Sequence, residues 1–383
     1  MSHRFLSTMR RAASVTTFGL LVAACAPSRG DAFMLATAEA RRAESAGRFA
    51  EAARHYDEAS RTAKLPRDRN FSAYLAATMI DRAGDPSEAE RRLRIIAKLD
   101  PPSEYSPIAA YLAATGRYKA GDAATGRREL EELSRKFPKT GAAKSALRKL
   151  LLEVDEEGSP QKSMATIDRW LPSFRGTELE QLLLYERTKR LEKTGDREAT
   201  IAALVSLANQ FPYPKGAYRD DALFHASELE EALGRPAQAV THLERLLADR
   251  ESSSMMGTYE RPKFSKAMKR LADLYEFVIR DRAKAREALH RLYAEFPTSI
   301  ERDDALYRES ALWEADGNKG TACDRLETLV STFPNSRYVP CATLKCAHIK
   351  RPKESKAPAE CRGYLTRAMS SETEDKEEAK PTP

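Results

Sequence analysis

Apolar side chains recur along the chain at two fixed distances from a turn residue, and the spacing between them is helical. Nine residues after the turns stand Tyr56, Leu93, Leu130, Ile167, Leu204, Leu243, Leu289 and Leu326. Twelve residues after the turns stand Ala59, Ile96, Leu133, Trp170, Leu207, Leu246, Leu292 and Leu329. Because positions three or four apart share one face of an α-helix, the pattern predicts a helix after each turn with both positions in the core.

The turns themselves form a series. The interval is 37 residues between Gly47, Gly84, Gly121, Gly158 and Gly195, and the series continues at Gly234, Arg280 and Gly317. Five residues after the turns the side chain is small, at Ala52, Ala89, Gly126, Ser163, Thr200, Ala239, Ala285 and Ala322. Two helices can approach closely where side chains are small. The series therefore predicts eight repeated helical hairpins.

Proline ends most of the units. It stands seventeen residues after the turn at Pro101, Pro138, Pro212, Pro297 and Pro334, and all but the first of these follow phenylalanine. Since proline cannot continue a helix, these residues predict where each second helix stops. A small residue that recurs seven positions before the turn is replaced by Leu151 in the fourth unit and by Asp273 in the seventh, so the pattern is weakest there.

This order of small residue, turn glycine, alanine, apolar residues and proline resembles the tetratricopeptide repeat (TPR), over roughly residues 32–334. The resemblance implies an all-α fold, a TPR-like superhelical solenoid of about eight helical hairpins with a concave face and a C-terminal capping helix. A period above the usual 34 residues and the Phe-Pro ends are similar to the lipoproteins related to BamD, a subunit of outer-membrane assembly.

The expected domain organisation follows the repeats. Repeats 1–6 occupy 32–250, a loop or hinge occupies 251–262, and repeats 7–8 occupy 263–336. Capping helices are expected over 337–369, with one of them at residues 338–349. The segment 370–383 is rich in Glu, Lys, Thr and Pro and is expected to be disordered.

The first 24 residues have the composition of a signal peptide. Three arginines and no acidic residue precede a short apolar run, which is too short for a membrane-spanning helix. The run ends in Val22-Ala23-Ala24-Cys25, which resembles the lipobox of bacterial lipoproteins. The resemblance implies that Cys25 is lipidated and that 25–31 is a tether. The residue after the cysteine is Ala26 and not aspartate, which favours the outer membrane, facing the periplasm.

The composition argues against several classes of function. The formal charge is +7, but Lys and Arg are interspersed with Asp and Glu, so no nucleic-acid partner is expected. The histidines show no metal-ligand spacing, and no catalytic motif or phosphate-binding loop is present. We therefore expect no metal, no cofactor, no small-molecule substrate and no enzymatic activity.

Four cysteines, Cys323, Cys341, Cys346 and Cys361, lie in the last repeat and its cap. In an oxidising periplasm an even cluster suggests two disulfides. Antiparallel packing of the cap on the last repeat favours the pairs Cys323–Cys346 and Cys341–Cys361. Free buried thiols and a four-thiolate zinc site are the alternatives.

Two rows of residues are candidates for binding a partner. In tetratricopeptide proteins the first helix of each unit lines the concave face, which implies a binding role for positions ten and three residues before the turn. The first position holds Tyr74, Tyr111, Tyr185, Phe224 and Tyr307, and the second holds Asp81, Asp155, Glu192 and Glu231, as well as Glu44 and Glu314. One interpretation is a groove for an apolar segment carrying basic residues. The other is that the aromatic residues pack between helices and the acids pair locally, as Glu44 could with Arg48.

The sequence thus predicts a membrane-anchored periplasmic scaffold that binds envelope proteins or peptides, in outer-membrane or envelope assembly. An accessory lipoprotein of a secretion, pilus or cell-division machine is the alternative. A cell-wall enzyme built on a helical frame would need a catalytic domain, and no stretch of the chain is left over for one.

Overall fold

The computed structural model describes residues 29–249 and 263–361, and these residues form α-helices joined by short turns, with no strand among them. The chain divides into two compact units, 1–180 and 181–383. Cys25, the tether up to Ser28, the whole of the expected loop at 251–262 and the segment 370–383 lie outside the described residues.

The first unit contains four consecutive hairpins. Their helices are α1 (Asp31–Ser45), α2 (Phe49–Thr62), α3 (Pro66–Arg82), α4 (Pro86–Ala97), α5 (Ser106–Lys119), α6 (Ala123–Lys136), α7 (Gly141–Glu157) and α8 (Pro160–Trp170). A 3-10 helix, Leu171–Phe174, follows the fourth hairpin.

The second unit continues the same alternation. Its helices are α9 (Glu178–Glu192), which begins just before the boundary, α10 (Arg197–Gln210), α11 (Arg219–Ala232), α12 (Pro236–Leu247), α13 (Phe264–Asp273), α14 (Arg282–Glu295), α15 (Arg302–Ala315), α16 (Lys319–Thr332) and α17 (Val339–Lys345). A π-helix, Leu274–Ile279, extends α13 to the turn of the seventh hairpin. Residues 29–249 and 263–361 thus contain the eight hairpins expected from the period.

The turn positions adopt the left-handed conformation in seven of the eight hairpins. The glycines at 47, 84, 121, 195, 234 and 317 have positive φ, and so does Arg280, with φ 65°. A side chain makes this conformation costly, which explains why glycine recurs there. The prediction of an equivalent turn is wrong at Gly158, whose φ of −161° is extended. The fourth hairpin therefore has a different turn.

The residue after the turn usually caps the second helix. The side chains of Asp85, Asp122, Asp196, Asp281 and Asn318 each accept a hydrogen bond from the backbone N–H three residues later. Such a cap satisfies an N–H that has no partner inside the helix. The same helices end where expected: α6, α10, α14 and α16 stop one residue before the Phe of each Phe-Pro pair.

The predicted core positions are buried with one exception. All eight residues nine positions after the turn are at most 5% exposed. Seven of the eight residues twelve positions after it are also at most 5% exposed. The exception is Trp170, which is partly exposed, so the prediction of a core residue is wrong there.

The first helix of the C-terminal cap is shorter than expected. Helix α17 ends at Lys345 and not at Ile349, and residues 346–361 contain no further helix. Pro352 and Pro358 interrupt this segment and remove backbone donors that a helix would need. Up to Cys361 the cap is one helix followed by an irregular segment, and the rest of the expected capping region, 362–369, lies outside the described residues.

Across the described part of the chain, none of the helices has both the length and the apolar character required to cross a bilayer.

Candidate protein-binding surface

The predicted aromatic row packs between successive hairpins. Three of its tyrosines stack on the tyrosine that precedes the first helix of the next hairpin: Tyr74 on Tyr105, Tyr185 on Tyr218 and Tyr307 on Tyr338, with ring centroids 5.6, 4.9 and 4.2 Å apart. Phe224 lies 4.9 Å from the ammonium of Lys263, in the same relation, and Tyr111 is partly buried. Burial raises the pKa of Tyr185 to about 12. These rings join neighbouring hairpins.

The acidic row forms ion pairs between hairpins. Carboxylate oxygens lie 3.1 Å from a cationic nitrogen in the pair Glu44–Arg82, 2.9 Å in Glu231–Arg270 and 2.6 Å in Glu314–Lys345. Glu192 lies 2.9 Å from the imidazole of His225. Each of these partners belongs to the next hairpin or to the cap. The local pair of Glu44 with Arg48 is not formed, since Arg48 contacts Glu51.

The two remaining members of the acidic row differ. Asp81 is exposed, and Asp155 is partly buried. The contacts of both rows favour the interpretation that they hold adjacent hairpins together. They leave little of the acidic row to attract a basic segment.

A different surface in the first unit has the form of a binding site. A groove of about 330 Å³ opens along α1 and α3, and we call it the N-terminal groove. Its lining residues are Arg29, Phe33, Met34, Thr37, Ala38, Arg41, Tyr56, Arg67, Asp68, Phe71, Ser72, Leu75 and Tyr105. Met34 is 53% exposed, and Phe71 stacks on Tyr105 with centroids 5.1 Å apart. The floor is therefore apolar, rigid and partly open to solvent.

The charged residues of the N-terminal groove are mainly cations. Three arginines and one carboxylate line it, and that carboxylate, Asp68, is 7% exposed and lies 3.3 Å from Arg29. Arg67 pairs with Glu104 at 2.7 Å, while Arg41 stands exposed. An apolar floor with a cationic rim suits a segment that carries apolar and acidic side chains. The sequence analysis missed this site, because its residues belong to neither row.

Two disulfides cross-link the cap, and one of them joins it to the last hairpin. The structure joins Cys323 to Cys346 and Cys341 to Cys361, which is the pairing favoured by antiparallel packing. Cys341 is fully buried, in a cluster with Tyr338 and Leu326. The four sulfurs thus form cross-links, and neither free thiols nor a zinc site is present among these residues.

The histidines contact carboxylates within the helical framework. His55, His225, His242 and His290 each lie within 4 Å of a glutamate oxygen, and burial lowers the pKa of His242. No group of three or more potential metal ligands occurs in residues 29–249 and 263–361. These four histidines therefore each contact a carboxylate of another helix.

Comparison with protein families identifies part of the chain. Residues 221–253, 266–299 and 304–336 match the model of the tetratricopeptide repeat. These segments correspond to hairpins 6–8, including the seventh hairpin, where the sequence pattern was weak. No curated protein matches the chain in sequence.

Solved structures of repeat proteins resemble the fold. The C-terminal part of a TPR repeat-containing protein from Cytophaga hutchinsonii is 12% identical, with 70% of this chain and 98% of that chain covered and a TM-score of 0.38. A tetratricopeptide repeat protein from Parabacteroides merdae is 14% identical, with 72% and 98% covered and a TM-score of 0.32. The complex of Naa15/Naa10 with HypK-THB is 16% identical, with 81% and 44% covered and a TM-score of 0.39. The family match and the hairpin fold together show that the chain carries tetratricopeptide repeats.

Proposed function

We propose that this chain is a lipid-anchored scaffold on the periplasmic face of the outer membrane, which binds an envelope protein in the N-terminal groove. The observation that carries the proposal is the groove itself. It combines an exposed apolar floor with a cationic rim. By contrast, the aromatic and acidic rows of the repeats mostly contact neighbouring hairpins. Tetratricopeptide repeats bind proteins, and no catalytic assembly competes with this function in the described residues.

Two independent features support export of the chain. Disulfides persist in oxidising compartments, and the cap contains two of them. The apolar run that ends at Cys25 resembles a lipoprotein signal. Both features fit a bacterial periplasm.

The anchor would hold the groove close to the membrane. Helix α1 starts at Asp31, six residues after Cys25, and an extended chain spans at most about 3.5 Å per residue. Arg29 and Met34, which line the groove, would then lie within about 20–30 Å of the lipid. A partner bound there would be presented at the membrane surface, as envelope assembly requires.

The first prediction concerns the anchor. Replacing Cys25 with Ala should abolish acylation and move the protein from the membrane fraction to the soluble fraction or leave an uncleaved precursor. Metabolic labelling with an alkyne fatty acid, followed by separation of inner and outer membranes, measures both effects. Label that persists in Cys25→Ala would contradict the lipobox assignment, and wild-type protein in the inner membrane would contradict the location.

The second prediction concerns the N-terminal groove. The change Met34→Glu with Arg41→Glu adds charge to the floor and reverses it at the rim, so we expect at least tenfold less partner recovered from cross-linked envelope extracts. Both side chains are exposed, and helicity by circular dichroism should not change.

The matched control is Ile95→Glu with Arg54→Glu, which makes the same chemical changes at exposed residues outside the groove. Equal losses in both variants would show that the groove is not the partner site. The identity of the recovered proteins shows which envelope machinery the chain serves. Subunits of barrel assembly support the proposal, and components of a secretion, pilus or division apparatus support the alternative.

A further inference from the structure

Trp170 departs from a rule that the other hairpins obey. The position twelve residues after the turn is buried in seven hairpins, where it holds leucine in five of them, isoleucine in one and alanine in one. In the fourth hairpin this position holds the largest side chain of all, and it is partly exposed. A residue of this size left partly in water at a core position requires a physical reason.

The end of α8 provides the local cause. In the other hairpins the second helix continues beyond this position, whereas α8 ends at Trp170 and passes into the 3-10 helix Leu171–Phe174. Phe174 in that helix is 3% exposed and fills the interior. At the end of α8 the Trp170 indole is partly exposed and lines a neighbouring cleft.

The cleft lies between α6, α7 and α8. It has a volume of about 400 Å³, and we call it the Trp170 cleft. Its lining residues are Arg127 and Glu131 from α6, Leu150 and Val154 from α7, and Lys162, Thr166, Arg169 and Trp170 from α8. It shares no residue with the N-terminal groove, which is lined mainly by first helices.

The Trp170 cleft combines an apolar wall with positive charge. Leu150, Val154 and the indole form the wall. Three cations and one carboxylate line the cleft, and that carboxylate, Glu131, already lies 3.1 Å from Arg135. Arg127 meets Glu153 at 3.3 Å. The charge of the cleft therefore favours an anionic occupant.

We propose that the Trp170 cleft is a second docking site, which binds an acidic segment of a partner protein through one large apolar side chain. The apolar side chain would insert against the partly exposed indole and Val154, and flanking carboxylates would meet Lys162 and Arg169. Tryptophan and arginine are the residues that most often dominate interface energy when they lie in a pocket. Complementary charge would raise the encounter rate and fix the orientation of the segment.

The site can be tested with peptides, since its partner is unidentified. A phage-displayed library of random decapeptides is panned on the mature full-length chain. We expect enrichment of peptides with at least two acidic residues beside Leu, Phe or Trp. The chain has two tryptophans, so a Trp313→Phe background leaves Trp170 as the sole tryptophan, whose emission is excited selectively at wavelengths that tyrosine does not absorb. Titration of an enriched synthetic peptide lacking Trp should then change its emission.

Replacing Trp170 with leucine, the most common residue at this position of the repeat, separates an effect on binding from an effect on folding. Trp170→Leu restores the residue found in five other hairpins, so the variant should fold with unchanged or higher stability. We expect it to bind the peptide at least tenfold more weakly, and Lys162→Glu with Arg169→Glu to do the same. The control Lys193→Glu with Arg197→Glu changes the net charge equally at exposed residues of the fifth hairpin.

The outcomes are distinct from those for the N-terminal groove, because Met34→Glu with Arg41→Glu should leave peptide binding unchanged. Equal binding to wild type and Trp170→Leu would overturn the proposal. So would a library that yields only basic peptides or no peptide that depends on Trp170. Self-association of the chain that Trp170→Leu abolishes would assign the cleft to a second copy of the protein and would also overturn it.

Discussion

Replacing Arg308 with alanine should lower the free energy of unfolding of the second unit by about 3 kcal/mol. The Arg308 side chain is 3% exposed and joins hairpins 7 and 8. Its guanidinium lies 2.7 Å from Asp273 and 2.5 Å from Glu276. Removing Arg308 leaves Glu276, whose side chain is 17% exposed, without its guanidinium partner, and leaves Asp273 with Lys269. The penalty of a shielded carboxylate that has lost its partner exceeds the loss of an exposed pair.

An exposed ion pair between hairpins provides the control. Arg67 and Glu104 also join two hairpins, at 2.7 Å, but their side chains are 73% and 50% exposed. Arg67→Ala should cost less than about 1 kcal/mol, because water screens the pair and replaces its contacts. Urea unfolding resolves the two units when a single tryptophan reports on each: Trp313 in a Trp170→Phe background and Trp170 in a Trp313→Phe background.

The loss from Arg308→Ala should depend on pH. Burial raises the pKa of Glu276, and Arg308 partly offsets that effect. A carboxyl whose pKa is raised by folding favours the folded state below that pKa, and this contribution is lost as the pH rises through it. Without Arg308 the pKa should rise further. The difference between variant and wild type should therefore shrink as the pH falls through the pKa of Glu276.

Replacing all three residues of this cluster by leucine separates the cost of burying the charges from the attraction between them. Removing Arg308, Asp273 and Glu276 together removes the charges as well as their attraction, so the triple variant should be far more stable than Arg308→Ala. A loss in Arg308→Ala no larger than in Arg67→Ala, and independent of pH, would show that burial does not amplify this ion pair.

The hairpins were predictable because their pattern is local. A glycine in the left-handed region, a small residue at the helix contact and two apolar positions follow one another within a dozen residues, and each reflects a constraint inside one hairpin. The Asp or Asn that caps the second helix was equally visible in the sequence, directly after the turn residue. It completes a pattern that needed no knowledge of the neighbouring units.

The candidate sites were less predictable because they depend on contacts between hairpins. Glu231 stands in an acidic row by sequence, yet its partner Arg270 is 39 residues away and is brought close only by the stacking of units. Trp170 fits the apolar pattern of the sequence. Its position at the end of α8, beside the cleft, is visible only in the structure. Arg41 and Met34 gave no sequence signal, since their role comes from the groove around them.

The structure of the cap was also hard to predict from the sequence, because it depends on contacts with the last hairpin. Helix α17 has seven residues, which is too few for a helix to be stable without tertiary contacts. Residues 346–361 are irregular and are held by Cys346 and Cys361 and by hydrogen bonds such as that of Arg351 to the backbone of Pro358. The disulfides therefore stabilise the cap by limiting the freedom of its unfolded chain.

Removal of the Cys323–Cys346 disulfide, as Cys323→Ala with Cys346→Ala, should cost the second unit about 2–4 kcal/mol. This cross-link closes a separation of 23 residues and is the one that ties the cap to α16. Without it the chain entropy of the unfolded state increases, and the contacts of Tyr338 with Tyr307 should open more often. Both cysteines are replaced together so that no single thiol remains.

Trypsin distinguishes the two disulfides. Loss of Cys323–Cys346 should expose both α17 and the irregular segment, with cleavage after Lys345 as well as after Lys350. Loss of Cys341–Cys361, which lies within the cap, should accelerate cleavage after Lys350 while α17 stays protected. Mass spectrometry of the digests identifies the sites, and the reduced wild-type chain should reproduce both patterns together.

Peptide mapping without reduction tests the pairing on which this argument rests. Freshly exported protein should yield one peptide pair joined through Cys323 and Cys346 and another joined through Cys341 and Cys361. Four free thiols, or a different pairing, would contradict the arrangement of the cap. Unchanged stability in the Cys323–Cys346 variant would instead show that the cap stays on the last hairpin through the packing of Tyr338 and Val339 alone.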